Sequence, residues 1–218
     1  MPAAALAEFA AAVDAPTADR IRETLEWIAP HCDLEERLPR IPPSAQVRGI
    51  WAKILVRQLQ ERGLWEKYQE MLPMPTPGAL GFHPARDLCV QSAVAGALVA
   101  GPEQLHQGMF EITRDNSRRF AASLLGRTLV RLLAKDPKRL AQQAIASRRQ
   151  TCNYGGWELV SASEREVRIY LREEYVWIES YLLGAAVGTF EALADDPADL
   201  RADAELEDRF HGTHVICW

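Results

Sequence analysis

His211 and His214 stand three residues apart near the C-terminus, and two neighbouring imidazoles are the beginning of a metal site. On a strand, a spacing of three sends them to opposite faces, and no third ligand lies near them in sequence. They read as surface or turn histidines. His31, Cys32 and Asp33 follow a helix that stops at Pro30, and they become a metal site only if Cys152 or Cys217 approaches; nothing in the spacing brings them together, so no metal is expected. Cys152, in RRQTCNYGGW, is the most plausible nucleophile because Arg148 and Arg149 favour its thiolate. A half-buried cysteine at the start of a strand accounts for it more simply. Glu173 and Glu174 are adjacent, so they diverge on either a helix or a strand and make no acid/base pair; Glu174 reads as a helix-start residue. GxSxG, GxxxxGK[ST] and HExxH are absent from the chain. No catalytic residue is assigned, and a binding role is expected over an enzymatic one.

A different constellation fits binding. Trp157, Tyr170, Trp177 and Tyr181 supply large rings with polar edges, and Gly184 and Gly188 supply missing volume on the same stretch. Core packing is the plain reading of such aromatics. The functional one is an apolar cavity holding a hydrophobic small molecule between sheet and helices. Arg127, Arg131 and Lys135 are spaced by four and stack on one helix face as an anion- or partner-binding surface.

These side chains must be positioned by the surrounding elements. The chain has 218 residues, 48% of them hydrophobic, with a net charge of -5, which is ordinary globular usage. Arg114 to Arg149 holds ten Lys/Arg against two Asp, and Glu191 to Asp208 holds eight Asp/Glu against one Arg, so the two segments are complementary in sign. Overall acidity argues against nucleic acid. The four cysteines are far apart, which suits a reducing cytoplasm. No secretory leader and no membrane span is expected, since the Ala-rich start carries Glu8 and Asp14 and no long run is uninterruptedly apolar.

Ile21, Leu25 and Ile28 mark one face of a helix over Thr17–Ala29. Ser44 is expected to cap a long helix whose stripe runs from Val47 to Leu59, wider than one neighbour needs, so a homodimer is expected. After a proline-rich loop, helical periodicity returns from about Leu88 to Ala146. Tyr154-Gly155-Gly156 is a turn signal. Trp157–Val160 and the alternating Glu166–Arg172 form a hairpin, Glu174–Ala194 a helix, and segments around Glu205–Phe210 and His214–Trp218 a second hairpin. The expected fold class is α+β, with N-terminal helices packed on a four-stranded antiparallel sheet built of two hairpins separated by a helix. Residues 1–43 are expected as an N-terminal helical extension and 44–218 as one domain.

Four strings, DLEERLPRIPPSAQVRGIW (Asp33–Trp51), RRFAASLLGRTLVRLLAKDPKRLAQQ (Arg118–Gln143), YLLGAAVGTFEAL and GTHVICW, together resemble a paralogous family of unknown function found in myxobacteria. That family is similar in turn to the group of four-vinyl-reductase domains, trafficking-particle subunits and haem-nitric-oxide-binding domains, which implies helices on a four-stranded antiparallel sheet. The resemblance implies either a signalling sensor that binds a hydrophobic molecule or a ligand-free dimeric scaffold with a protein partner. The cofactor is unknown. Haem held as in the haem-nitric-oxide domains is disfavoured, because no histidine lies between His106 and His211.

Overall fold

The computed structural model describes residues 15–74, 78–123, 137–191 and 199–218. The chain forms two units, Met1–Met109 and Phe110–Trp218, and each is described by itself. Arg127, Arg131 and Lys135 lie outside the described residues.

In the first unit, α1 (Ala15–Ile28) buries Ile21, Leu25 and Ile28, the face that its spacing predicts. The Thr24 hydroxyl donates to the Met71 carbonyl at 2.7 Å. Short helical turns follow, including α2 (Leu34–Arg37), where Arg37 turns inward and pairs with Asp33 at 3.1 Å. The helix expected from Ser44 does not start there. Gln46–Arg48 is β1, and it pairs antiparallel with β2 (Phe82–Pro84), Val47 opposite His83. Helix α3 (Ile50–Glu61) begins only after Gly49. Backbone groups that a helix would have paired locally are taken instead by a strand 36 residues away, a partner that periodicity does not reveal. Helices α4 (Trp65–Met71) and α5 (Ala85–Ala100) complete the unit, and α5 is buried from Ala85 through Ala97 apart from its first turn. A Cβ on Gly96 would collide with the Leu105 carbonyl and Met109 of the following helix, α6 (Leu105–Ala122), so glycine is required there.

In the second unit, α6 continues and α7 (Pro137–Thr151) leads into a four-stranded antiparallel sheet. Its strands are β3 (Gly156–Ala162), β4 (Glu166–Arg172), β5 (Arg201–Leu206) and β6 (Gly212–Cys217), in the order β3-β4-β6-β5. The Glu166–Arg172 alternation appears as expected, with Val167, Ile169 and Leu171 buried on one face. The later hairpin is shifted from expectation: its first strand starts at Arg201, and Gly212 opens β6 instead of sitting in the turn. Registry extends the inner face to Trp157, Leu159, His214 and Ile216, and places Tyr170, Glu158, Thr213 and Glu205 on the outer face. The outer face is polar, with Arg168 paired to Glu205 and the Tyr170 hydroxyl donating to Glu207 at 3.1 Å.

Between β4 and β5 the expected single helix is two pieces. Residues 174–177 are irregular, Ile178–Leu182 form a π-turn, and α8 (Leu183–Glu191) follows. Helix α7 packs against β3 and β4, and α8 against β5 and β6.

Candidate functional site

The chain reverses direction at two left-handed residues. Gly155 has φ 59° and Glu173 has φ 49°, and a Cβ on Gly155 would strike the Arg172 and Glu173 carbonyls. This pairing brings the start of β3 against the end of β4 and turns Glu174 into the interior. There Glu174 Oε2 accepts from Arg148 Nε at 2.9 Å and from the indole Nε1 of Trp157 at 3.0 Å. The Arg148 and Glu174 side chains are 3% and 1% exposed. Tyr154 covers the guanidinium at 4.5 Å, Tyr175 packs on Tyr154, and Phe210 packs on Tyr175. Burial disfavours the guanidinium's charge, but the Glu174 carboxylate together with Tyr154 and Cys152 outweighs it, and the Arg148 pKa stays above its ordinary value. Glu174 is therefore no helix-start residue; it is the acid of a buried ion pair.

Cys152 lies beside this cluster. Burial pushes its pKa up to about 12, and the nearby Arg148 charge only partly opposes this. The arginine effect expected from sequence is present, and burial outweighs it. The thiol is protonated at neutral pH, which leaves it a poor nucleophile.

His214 is not a surface histidine. It is fully buried on the sheet's inner face, and its Nε2 donates to the Ile178 carbonyl at 2.9 Å, tying β6 to the first residue of the π-turn. Burial lowers its pKa to about 4, against which the Ile178 bond works only weakly. His211 sits in the preceding turn, with its ring 2.9 Å from Asp208. Because the folded His214 stays neutral between about pH 6.5 and 4 while the unfolded chain takes up a proton, stability should fall as pH drops through that window, by up to roughly 3 kcal/mol. Urea midpoints of wild type and His214→Gln at pH 7 and pH 4.5 check this: the variant should lose part of the slope, and equal slopes would assign the acid sensitivity elsewhere.

The six aromatic and glycine positions are not one lining. Trp157 faces inward and its indole N–H is committed to Glu174. Tyr170 lies on the opposite face of the sheet. Trp177 and Tyr181 are fully buried around the π-turn. Gly184 and Gly188 do not leave a gap: a Cβ at either would fall within 3.0 Å of α6 backbone, at Phe110 and at Arg114 respectively. The missing side chains admit another helix, which fills the space assigned to a ligand. The end of that contact is held by charge, since Arg114 and Arg118 both pair with Glu191. Sequence reasoning missed Glu174 and Arg148 as partners, and the only available signal was the opposite charge of the two residues.

Among the described residues, no three His, Cys, Asp or Glu side chains come together as a metal site, and no helix is long and apolar enough to cross a membrane.

Comparison with known proteins shows a likeness of fold to H-NOX proteins. The structure of the Fe(II) unliganded H-NOX protein from K. algicida matches with a TM-score of 0.55 at 10% identity, and that of a single-site mutant of it with 0.58 at 11%; each covers 78% of this chain and 95% of the other. At such identity the likeness is one of fold. The chain belongs to the DUF2378 family of proteins of unknown function, whose model matches residues 41–201. Compared with curated proteins, it matches none.

Proposed function

We propose that this chain is a non-enzymatic sensor module that binds a small hydrophobic molecule and serves in signalling. Its fold spans almost the whole length of an H-NOX protein, a layout compatible with ligand binding. The observation that carries the reading is the chemistry of the second unit's interior. Its buried carboxylates are paired, Glu174 with Arg148 and Glu191 with Arg114, the Cys152 thiol is held protonated and the His214 imidazole is held neutral. Such groups are poised for neither proton transfer nor nucleophilic attack. Of the two histidines among this unit's described residues, the buried His214 uses Nε2 on the Ile178 carbonyl and His211 uses Nδ1 on Asp208. Native mass spectrometry and absorbance of freshly purified protein test the reading. A co-purifying small molecule that raises the melting temperature is expected, and an empty protein that no hydrophobic compound stabilises would overturn it.

A second reading, a homodimer or partner-docking scaffold, is favoured by one feature of the first unit. Ile50, Leu80 and Phe82 are 45%, 82% and 44% exposed, with Arg48 stacked on Phe82 at 4.2 Å. This is more apolar surface than scattered single residues present. Light scattering of wild type and Phe82→Glu would separate a dimer that this change dissociates from a monomer in both.

A further inference from the structure

Three of the six large apolar side chains that stand exposed among the described residues belong to one place in the first unit: Ile50 at the start of α3, and Leu80 and Phe82 where the chain enters β2. The backbone holds them together. Arg48 of β1 lies opposite Phe82 in the pairing, and the Gly49 N–H donates to the Gly81 carbonyl at 2.8 Å, which sets Ile50 beside the turn that carries Leu80. That turn is closed by the Gly81 N–H on the Gly78 carbonyl at 3.0 Å, and Leu80 within it is 82% exposed. The Arg48 guanidinium stacks on the Phe82 ring at 4.2 Å and donates to the Leu80 carbonyl, so a fixed cation borders the apolar side chains.

Charge around the patch is of one sign. Residues 46–60 hold Arg48, Lys53 and Arg57 and no acid, and residues 72–86 hold Arg86 and no acid, in a chain whose net charge is -5. Lys53 is exposed and follows Ile50 by three residues on α3, so the two share a helix face. Arg57 continues that face but is shared with Glu61 at 3.1 Å, and Arg86 lies beside Asp87. Arg48 and Lys53 are therefore the cations that matter next to the apolar side chains.

We propose that this patch docks on an anionic lipid surface, with Ile50, Leu80 and Phe82 entering the interface and Arg48 and Lys53 meeting the headgroups. Exposed apolar side chains gain by leaving water for the acyl boundary, and cations beside them gain from the negative surface potential. Stable attachment takes both, since either alone is marginal. Arginine and lysine suit that boundary because their stems lie along apolar matter while the charged heads stay in water. A second copy of this chain fits the patch less well, since a two-fold contact through it would press one cationic surface against another. Docking here is independent of whether the chain also holds a small molecule.

Flotation of the full chain with vesicles is the test, using phosphatidylcholine alone and phosphatidylcholine with about one third phosphatidylserine. The chain should float with the serine-containing vesicles, bind the neutral ones roughly tenfold more weakly or worse, and be released as salt rises from about 0.05 M to about 0.5 M. Lys53→Glu removes one favourable charge and adds an unfavourable one, so it should weaken binding roughly twenty- to thirtyfold, at about fivefold per charge. Leu80→Ser should weaken it roughly tenfold through lost apolar contact. Circular dichroism and thermal melts confirm that both variants fold. Equal binding by wild type and both variants, equal binding to the two kinds of vesicle, or no binding to either overturns the proposal. Light scattering without lipid supplies the remaining outcome: a dimer that Leu80→Ser dissociates, in a chain that vesicles do not float, would give the patch to a second copy and overturn docking on lipid.

Discussion

Arg148→Met is expected to destabilise the protein by about 3–5 kcal/mol, because it strands the Glu174 carboxylate in an interior where only 1% of that side chain meets solvent. The cost is that of the orphaned charge and not the worth of the pair. Taking the acid away as well separates the two: Arg148→Met with Glu174→Leu should recover most of the loss, keeping a residual of about 1–3 kcal/mol from the Trp157 indole N–H, which then lacks its acceptor. Urea denaturation of the two single variants and the double variant measures this as a cycle. If the double variant were as unstable as the sum of the singles, the buried pair would not be the connection between α7 and the segment after β4.

Gly188→Leu is the second large expected effect. Within a helix, replacing glycine normally gains up to about 1 kcal/mol of propensity, so the bland expectation is a small stabilisation. The structure reverses the sign. A Cβ at position 188 meets the Arg114 carbonyl and Cα, which are backbone atoms that cannot swing aside, and overpacking of this kind costs about 1–3 kcal/mol, with leucine at the upper end. Thermal melts of Gly188→Ala and Gly188→Leu should both fall, leucine further. A rise in either would mean that α6 does not lie against this face, and the gap inferred from sequence would be reinstated.

Much of the second unit was legible in the sequence because its signals are local. The β4 alternation of Val167, Ile169 and Leu171 needs no knowledge of a partner to name a half-buried strand. The same holds for Ile21, Leu25 and Ile28 in α1. What stayed illegible depends on partners distant in sequence. Val47 pairs with His83, so the stretch after Ser44 became a strand although its pattern also suits a helix. Glu174 finds its partner 26 residues earlier, and no spacing rule links them. His214 was read by its spacing to His211, when its environment is set by the inward face of β6 and the Ile178 carbonyl. The glycines announce a close approach, but only the fold says whether a ligand or a helix makes it.

The π-turn at Ile178–Leu182, closed by the Leu182 N–H on the Trp177 carbonyl at 3.0 Å, widens one turn of the path into α8 by a single residue. Since each residue advances an α-helix by about 100°, that one residue acts as a phase setting for everything downstream. With it, Gly184 and Gly188 point at α6; without it, the same residues would be rotated by more than a quarter turn, and Leu183 or Val187 would meet the α6 backbone in their place. The segment is thus indexed like a gear with one extra tooth, and related chains that differ in length by one residue here would have to place their small residues one position away to keep the same mesh.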